Sequence, residues 1–411
     1  MKRHGHLWPD IIDRQNLVWA AHRAARGKRG KLEVRRFWKD FDASIDQLRR
    51  ELVAGTFVVG CFNTFKVFDP KERTIHAARF VERVFHHALM RWCEPILDRR
   101  LIHHTYACRT GKGRLAALET AQRAMRQYPW YLQMDVRKYF ESIDHGVLLH
   151  QLRRVFKDKT LLGWFERIID SHRLGDAGKG LPIGSLTSQH FANHYLGAID
   201  RFAENSSSVK AYVRYMDDFV CWGNDAGSLI DVGRRIEKLV QDDLRLSLKH
   251  VAQPRPSRHG ISLLGWRVFP THAELNRRSR LRFTRKMRWL EAAWTQGAAS
   301  DAAVQQRVTA LTAFTLPAKS FHWRQRCLSR FRCMAIGLEP GEPGWQLEQQ
   351  CAELPFRQPQ QQHPHEPQQQ HRLPPCPKLR SDTLDGVIRQ LQGTEPAMDP
   401  LAAMDPPAAT N

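Results

Sequence analysis

The chain has 411 residues, of which 42% are hydrophobic, an ordinary share for a globular protein. It contains no apolar run long enough to cross a membrane, and residues 1–6 lead into no apolar segment, so neither a transmembrane helix nor a secretory signal is predicted. Lysine and arginine number 64 against 42 acidic residues, a net charge of +22. This excess predicts a polyanionic partner. Nucleic acid is favoured over a membrane because no long basic helix with a purely apolar face stands out.

The eight cysteines are dispersed along the chain, and no Cys-x-x-Cys pair occurs. A structural zinc site needs clustered ligands, and a disulfide framework is typical of short secreted chains. We therefore expect neither, and the pattern predicts reduced cysteines in a cytoplasmic protein.

The N-terminal part, up to about residue 60, has a basic and helical pattern. Hydrophobic residues recur there at spacings of three and four, and Gly55 is predicted to end the helix. These residues are Phe37, Phe41, Ile45, Leu48 and Leu52. The aromatic and β-branched run at 57–68 predicts strands around a turn, residues 69–72 predict a further turn, and residues 80–93 predict a helix.

The densest pattern begins at residue 131. Residues 131–134 predict a short strand that runs directly into Asp135, and Asp144 is predicted to cap the helix after it. Residues 178–184 predict a loop. The next helix is predicted to carry four apolar residues on one face, namely Phe191, Tyr195, Ile199 and Phe202.

Two predicted strands, at about residues 209–214 and 219–222, enclose Tyr215-Met216-Asp217-Asp218. Adjacent carboxylates repel each other, although a surface turn could carry them without a function. The strongly apolar flanking strands weaken that alternative, as does the strand that ends at Asp135. Two strand ends that present carboxylates suit Mg²⁺, and a pair of such ions can clamp the attacking and leaving oxygens of an in-line displacement.

The last third of the chain falls into two parts. Residues 276–335 are predicted to be helical and very basic, with no acidic residue from Asn276 to Leu290. After about residue 340 the chain is rich in Gln, His and Pro, a composition that predicts a disordered tail.

Tyr215-Met216-Asp217-Asp218 resembles the YxDD box of reverse transcriptases. Other blocks follow the order and spacing of that family over about residues 55–270. The first palm motif resembles residues 134–144, and the template-and-nucleotide loop resembles residues 181–193. The last palm motif and the primer grip resemble residues 246–249 and 263–266, and finger motifs resemble residues 73–75 and 106–109.

One departure narrows the subfamily. Intron and retron enzymes usually carry Gln before the loop glycine and Ser-Pro after it, whereas this chain has Ile183-Gly184 and Ser188-Gln189. That variant is similar to the reverse transcriptases of diversity-generating retroelements. The resemblance implies error-prone copying of a retroelement template RNA, most visibly at template adenines.

The resemblance also implies roles for individual residues. Asp135 and Asp217 would ligate two Mg²⁺ ions, or Mn²⁺ as an alternative, with help from the Val136 carbonyl and weaker ligation by Asp218. Phe140 would exclude a ribose 2′-hydroxyl, although Phe140 or Tyr139 could instead be a core aromatic. The remaining nucleotide-binding candidates are Lys66, Arg73, Ile183, Gly184, Gln189 and Lys249. Lys66, Arg73 and Lys249 could instead be solvated surface charges, and Ile183 could simply pack its loop.

The predicted template and primer contacts lie further along the chain. Arg109 would contact the template or stabilise the fingers, Gly265 and Trp266 belong to the primer-grip block, and Arg278, Arg282, Arg285 and Lys286 form a basic helical face near Trp289. Arg280 and Arg288 add to this charge, which would contact phosphates. A solvated helix face is the alternative.

The predicted fold is α+β, a right-hand polymerase with fingers, an antiparallel-sheet palm and a helical thumb. The expected divisions are 1–130 for the N-terminal helices and fingers, 131–270 for the palm, 271–338 for the thumb and 339–411 for the tail. The expected partners are template RNA, a DNA primer or cDNA, deoxynucleoside triphosphates and a small basic accessory protein, in a bacterial or phage-encoded cytoplasmic system. The alternatives are a retron-like or phage-defence reverse transcriptase and a non-catalytic RNA-binding protein.

Overall fold

The computed structural model describes residues 3–68, 72–171, 178–250 and 253–331. These residues form helices and small antiparallel sheets, which confirms the predicted α+β class. The chain divides into two compact units between Asn276 and Arg277. No helix in the described ranges is long and apolar enough to cross a membrane. The predicted tail lies outside the described residues.

The helices and strands alternate along the first unit. The helices are α1 Trp8–Ile11, α2 Arg14–Ala25, α3 Leu32–Lys39, α4 Phe41–Ala54, α5 Phe80–Asp98, α6 Arg114–Gln127, α7 Tyr139–Ser142, α8 His145–Arg153, α9 Lys159–Asp170, α10 Leu186–Tyr195, α11 Gly197–Asn205 and α12 Ala226–Asp242. The strands are β1 Phe62–Phe68, β2 Glu72–Ala78, β3 Trp130–Asp135, β4 Ala211–Tyr215, β5 Asp218–Gly223, β6 Arg255–Pro256, β7 Ile261–Leu263, β8 Trp266–Val268 and β9 Ala273–Leu275.

The N-terminal residues form helices α1 to α4, as their sequence pattern predicted. Gly55 ends α4 with a φ of 69°, a left-handed conformation that glycine adopts without steric cost, and its amide donates to the last carbonyls of the helix. Helix α5 begins where predicted, at Phe80, but continues to Asp98. It packs against α2 and α10, and a hydrophobic core joins the N-terminal helices to strands β3 and β5 of the central sheet.

The strand prediction for residues 57–68 was wrong in part. The structure has a single strand, β1, within this range, and it pairs antiparallel with β2, which the sequence analysis did not predict. Glu72, predicted to lie in a turn, is the first residue of β2. Residues 69–71 lie outside the described ranges. The β-branched and aromatic composition of residues 57–68 predicted more than one strand there, whereas the second strand of the hairpin, β2, is rich in polar and charged residues.

The central sheet holds four antiparallel strands in the order β4-β5-β3-β6. Helices α6 and α11 contact β4, while α12 contacts β3 and β5. Residues 219–223 of β5 are all buried, so both faces of this strand are covered. The predicted cap of α8 is confirmed, because the Asp144 carboxylate accepts a hydrogen bond from the Val147 amide at 2.9 Å. The helix predicted through residues 191–202 is instead two helices, α10 and α11, that meet at Leu196.

A three-stranded antiparallel sheet, β7-β8-β9, completes the first unit. Leu263 pairs with Trp266 across a two-residue loop in which Leu264 and Gly265 have φ angles of 51° and 98°. Two successive positive φ angles are typical of a tight hairpin turn.

The second unit begins with α13 Arg277–Thr295, and continues with α14 Asp301–Thr315 and α15 Phe321–Leu328. Phe283, Met287 and Leu290 of α13 are buried in a hydrophobic core of its own. The basic residues Arg278, Arg285 and Lys286 lie on the exposed side of the same helix. An apolar face and a basic face therefore share one helix.

Candidate active site

Strand pairing brings the predicted carboxylates to one end of the central sheet. Asp135, the last residue of β3, lies directly opposite Asp218, the first residue of β5. Directly opposed residues of an antiparallel pair project to the same face, with Cβ atoms about 5 Å apart. Asp217 precedes Asp218 in the loop from β4, and its carbonyl accepts a hydrogen bond from the Val136 amide at 3.4 Å.

The loop that carries Asp217 is tight and strained. Tyr215 pairs with Asp218, so Met216 and Asp217 alone connect β4 to β5. Met216 has a φ of 58°, which residues with a Cβ rarely adopt. Such a conformation costs on the order of 1–3 kcal/mol and persists where surrounding contacts hold it.

Burial and mutual repulsion act on these acids in the same direction. Burial raises the pKa of Asp217, the charge of Asp135 raises it further, and Lys249 and Arg73 act in the opposite direction. Burial raises the pKa of Asp218 to about 7, against the hydrogen bond from Gln133, and the charges of Asp135 and Asp217 raise it further. The site is therefore short of positive charge when all three acids are ionised.

The donor atoms fit a hard divalent cation. Asp135 accepts from the Lys249 ammonium at 2.5 Å through Oδ2, whereas its Oδ1 is buried without a hydrogen-bond partner. A buried carboxylate oxygen without a partner, beside two acids with raised pKa values, is a set of oxygen ligands that Mg²⁺ could neutralise. No group of three or more Asp, Glu, His or Cys side chains in the described ranges is arranged closely enough to hold a metal ion. The carboxylate oxygens are thus suitable ligands, but they do not form a complete coordination shell by themselves.

Two neighbouring aromatics after Asp135 differ in their surroundings. Tyr139 is buried, and its hydroxyl donates to the Ala192 carbonyl. Phe140 is partly exposed and packs at the edge of the hydrophobic core. Tyr139 is therefore the core aromatic of the pair, and Phe140 is the one with an accessible ring.

The loop with Ile183 and Gly184 is attached to the β1–β2 hairpin. The Ile183 carbonyl accepts from the His76 amide at 3.0 Å. Gly184 has a φ of 110°, and a Cβ at this position would lie 3.0 Å from Ile75 Cγ2. The left-handed backbone conformation therefore favours glycine here, and a side chain would in addition crowd Ile75. In α10, Gln189 Oε1 accepts from Cys108 Sγ at 3.7 Å.

The three predicted phosphate-binding cations are not equivalent. Lys249 contacts Asp135 directly, and the charge of Arg73 acts on Asp217. Lys66 is exposed and pairs with Glu72 at 2.6 Å across the hairpin, which supports the alternative of a solvated strand charge.

Two of the predicted template and primer contacts do not fit the structure. Trp266 is only 1% exposed, so its ring cannot contact nucleic acid. Arg109 donates to the Asp98 carboxylate, the Ile102 carbonyl and Thr105. Its guanidinium is thus occupied within the protein. Of its two predicted roles, this fits stabilisation of the fingers and not contact with the template. Gly265 lies in the hairpin turn before Trp266.

The basic face of α13 is described within the second unit alone. Arg278, Arg285, Lys286 and Arg288 are exposed, whereas Arg280 and Arg282 are partly buried. Trp289 packs against the core of this unit, and the Arg307 guanidinium lies 5.6 Å from its ring centroid. The exposed cations remain available for phosphate, and Trp289 is a packing residue.

Sequence reasoning missed a buried polar cluster beneath the carboxylates. Arg214, which is fully buried in β4, pairs with Asp200 of α11 at 2.6 Å and donates to Asn193 and to the Met216 carbonyl. The available signal was a charged residue inside an otherwise apolar strand, since a buried arginine requires partners.

Residues 69–251 match the family model described as "Reverse transcriptase (RNA-dependent DNA polymerase)". This range contains β2 to β5 and all three carboxylates. Residues 69–251 therefore have the sequence pattern of a reverse transcriptase domain.

Two curated relatives are intron proteins by name. The putative COX1/OXI3 intron 1 protein of Saccharomyces cerevisiae is 20% identical over 169 residues, which is 39% of this chain and 20% of that protein. Nuclear intron maturase 1, mitochondrial, of Arabidopsis thaliana is 28% identical over 87 residues, 21% of this chain and 12% of that protein. The chain thus spans a fifth or less of the length of these relatives.

Among solved structures, apo telomerase from Candida tropicalis, truncated from its C-terminal domain, is also similar to the chain. The alignment covers 52% of this chain and 55% of that one, at a TM-score of 0.39 and 10% identity.

The raised pKa of Asp218 predicts a pH-dependent effect on stability. Without divalent metal, Asp218→Asn should raise the melting temperature at pH 8, because it removes a buried charge near two other acids. When the folded-state pKa of a carboxyl is about 7, its ionisation lowers the stability of the fold, and this loss reaches its full size above that pH. The gain should therefore shrink as the pH falls from 7 toward 4 and disappear below that, where the carboxyl is protonated in both states.

Thermal unfolding monitored from pH 4 to pH 8 is the measurement. Asp225→Asn is a matched control of opposite sign, because hydrogen bonds from Ser228 hold the pKa of the Asp225 carboxyl below its usual range at the start of α12. A melting temperature for Asp218→Asn that stays at or below the wild-type value at pH 8 would contradict the electrostatic account.

Proposed function

We propose that this protein is an RNA-directed DNA polymerase that extends a DNA primer on a template RNA by two-metal nucleotidyl transfer. The observation that carries this proposal is the pairing of Asp135 with Asp218, beside Asp217, within a reverse transcriptase domain. In this proposal the central sheet is the palm, the β1–β2 hairpin belongs to the fingers, and α13 to α15 form the thumb.

Each group at the carboxylate end has a defined task in this mechanism. When bound, two Mg²⁺ ions, or Mn²⁺ in their place, would supply Lewis-acid stabilisation of the attacking and leaving oxygens. Asp135 and Asp217 would hold the ions, with Asp218 and the Val136 carbonyl in support. Arg73 would bind the triphosphate through its guanidinium fork. Lys249 would leave Asp135 and provide charge, or a proton, to the departing pyrophosphate.

More specifically, we propose that the enzyme copies the template RNA of a diversity-generating retroelement, with errors concentrated at adenines. The support is the Ile183-Gly184 and Ser188-Gln189 variant of the nucleotide loop. The proposed partners are that RNA, its cDNA and a small basic accessory protein, in a bacterial or phage-encoded cytoplasmic system. The exposed cations of α13 would contact template–primer phosphates without regard to sequence.

A second candidate is a reverse transcriptase that serves an intron, which the names of the curated relatives favour. Sequencing of the RNA that co-purifies with the protein separates the two candidates. A transcript that carries a repeat of a variable gene supports the retroelement, whereas a transcript with intron boundaries supports the intron.

The first prediction from this proposal concerns the carboxylates. Asp217→Asn and Asp135→Asn should each lower primer extension on an RNA template by about a thousandfold, because each removes a metal ligand worth several kcal/mol of transition-state stabilisation, at about 1.4 kcal/mol per tenfold. The same variants should lose the increase in melting temperature that Mg²⁺ gives to the wild type.

A matched control for this experiment is Asp231→Asn, which neutralises an exposed acid on α12. It should retain both primer extension and the response to Mg²⁺. Near-normal extension by either carboxylate variant would remove the proposed active site.

The second prediction concerns the choice of sugar. Phe140→Ala should admit ribonucleotides, because the accessible ring of Phe140 supplies the bulk that a 2′-hydroxyl would meet. Single-nucleotide incorporation with matched ribo- and deoxynucleotides is the measurement, and we expect a fall in discrimination of about tenfold or more, equivalent to about 1.4 kcal/mol. Discrimination that equals the wild-type value would show that another residue is the gate.

The third prediction concerns fidelity. Ile183 has no side-chain donor or acceptor, so it cannot hold a correctly paired nucleotide by a hydrogen bond. A difference of about 1.4 kcal/mol between right and wrong nucleotides corresponds to about tenfold in discrimination. Ile183→Gln should therefore lower the error rate, most visibly at template adenines.

Sequencing of cDNA made by both enzymes on one RNA, with the accessory protein present, measures this effect. Ile183→Val is the matched control, because it keeps an apolar side chain and should keep the wild-type error spectrum. Identical error rates at adenines in the wild type and Ile183→Gln would mean that Ile183 only packs the loop against the hairpin.

A further inference from the structure

Arg214 is the penultimate residue of β4, separated only by Tyr215 from the loop that carries Asp217, and its side chain is fully buried. Its Nε and Nη2 each lie 2.6 Å from an oxygen of the Asp200 carboxylate. This is a bidentate pair, the geometry in which a guanidinium and a carboxylate bind each other most specifically. Asp200 also accepts a hydrogen bond from the Tyr212 hydroxyl at 2.9 Å.

The remaining donors of Arg214 reach beyond its counter-ion. Nη1 donates to the Asn193 side chain at 2.9 Å and to the Met216 carbonyl at 3.0 Å. Nη2 also donates to the Asn193 carbonyl at 2.9 Å. The guanidinium therefore joins α11, α10 and the loop between β4 and β5 at a single point.

The bond to Met216 has a particular consequence because of where Met216 lies. Its φ of 58° is strained for a residue with a side chain, and its carbonyl belongs to the peptide that leads directly into Asp217. Because this carbonyl and the Asp217 nitrogen belong to one planar peptide, a donor that fixes the carbonyl also fixes the orientation of the backbone at Asp217. The strain is thus held by a contact to a buried and immobile group.

Stability of the fold does not by itself account for such a cluster. Buried ion pairs can often be replaced by apolar side chains of similar volume without loss of stability. Apolar side chains, however, cannot donate a hydrogen bond to the Met216 carbonyl. A function that depends on the orientation of this loop requires the arginine itself.

The same cluster reaches the segment that contains Arg109. The Arg214 amide donates to the His104 carbonyl at 2.9 Å, and the Tyr106 amide donates to the Arg214 carbonyl at 2.9 Å. The Asn193 side-chain amide donates to the Ala107 carbonyl at 2.8 Å. Two elements beside the candidate nucleotide site, α10 and residues 104–107, therefore share their anchor with the carboxylate loop.

We propose that Arg214 is a positioning residue for nucleotidyl transfer, which holds Met216 in its positive-φ conformation and thereby sets the orientation of Asp217. Asp200 and Asn193 orient the guanidinium for this task. The inference rests on the proposed polymerase function and adds to it a residue that touches neither nucleotide nor metal.

The test is a double-mutant cycle between Arg214→Lys and Met216→Gly. Lysine keeps the charge next to Asp200 but lacks the planar fork, so one ammonium cannot serve Asp200, Asn193 and Met216 together. We expect kcat for primer extension to fall about 10- to 100-fold, as for outer-shell partners of metal ligands, with little change in KM for the nucleotide. Glycine adopts a positive φ freely. Met216→Gly should therefore restore several-fold of the lost kcat in the Arg214→Lys background, and should not raise kcat in the wild type.

Arg245→Lys is the matched control, because Arg245 is an exposed arginine of the same unit that forms an ion pair with the buried Asp144 at 3.1 Å. It should keep the wild-type kcat. A second readout is Mn²⁺ binding measured by electron paramagnetic resonance on the protein without nucleotide. Arg214→Lys should weaken Mn²⁺ binding, and Met216→Gly should partly restore it.

Additive effects of the two substitutions on kcat, or unchanged Mn²⁺ affinity in a folded Arg214→Lys protein, would overturn the inference. If Arg214→Lys does not fold, Asn193→Ala tests the same idea, because it removes one acceptor of Nη1 and leaves the ion pair with Asp200 in place. It should lower kcat with KM retained, and a wild-type kcat would count against the inference. A wild-type protein that extends no primer would instead reject the proposed function.

Discussion

Three carboxylates at one end of a small sheet impose the main electrostatic constraint on this protein. Like charges in a poorly solvated place destabilise the fold, and the same burial and repulsion raise the pKa values of Asp217 and Asp218. Two neighbouring cations reduce this repulsion. Lys249 neutralises Asp135 from one side, and Arg73 contributes positive charge from the β1–β2 hairpin. An arrangement that costs stability in the resting protein is typical of a functional site.

The scaffold below the carboxylates is buried and hydrogen-bonded, which offsets part of this cost. Strand β5 is buried on both faces, and the Arg214–Asp200 pair connects the strands to the helices behind them. An unpaired charge in such a place would cost several kcal/mol, so the two residues depend on each other. The three carboxylates therefore lie next to a hydrogen-bonded Arg214–Asp200 pair, and their mutual repulsion acts on the loop and the strand ends.

Local patterns in the sequence predicted much of the fold. The strand before Asp135, the Asp144 cap and the end of α4 at Gly55 all follow from spacing and residue type. Strand β2 was missed because its stability comes from pairing with β1 and not from its own composition. The break at Leu196 was missed for a related reason, since the apolar pattern continues across it and tertiary packing determines where one helix ends.

The candidate site was predictable to the extent that chemistry shows in residue types. The carboxylates were found because acids at the ends of apolar strands are unusual, whereas Trp266 was misjudged because a motif does not reveal which way a side chain points. Arg109 and Arg214 illustrate the same limit. Both are arginines in a basic chain, and only tertiary contacts distinguish internal guanidinium groups from those that remain for nucleic acid.

The β1–β2 hairpin has a further consequence for how the protein opens. It is a two-stranded sheet whose middle is largely exposed, and Phe65 is 50% exposed. Hairpins of this kind have little stability of their own. The hydrogen bond from His76 to Ile183 and the close approach of Gly184 attach it to the loop below. Its amide protons should therefore exchange with solvent through local openings that leave the central sheet intact, so that the hairpin forms a separate cooperative unit of low stability above a stable base.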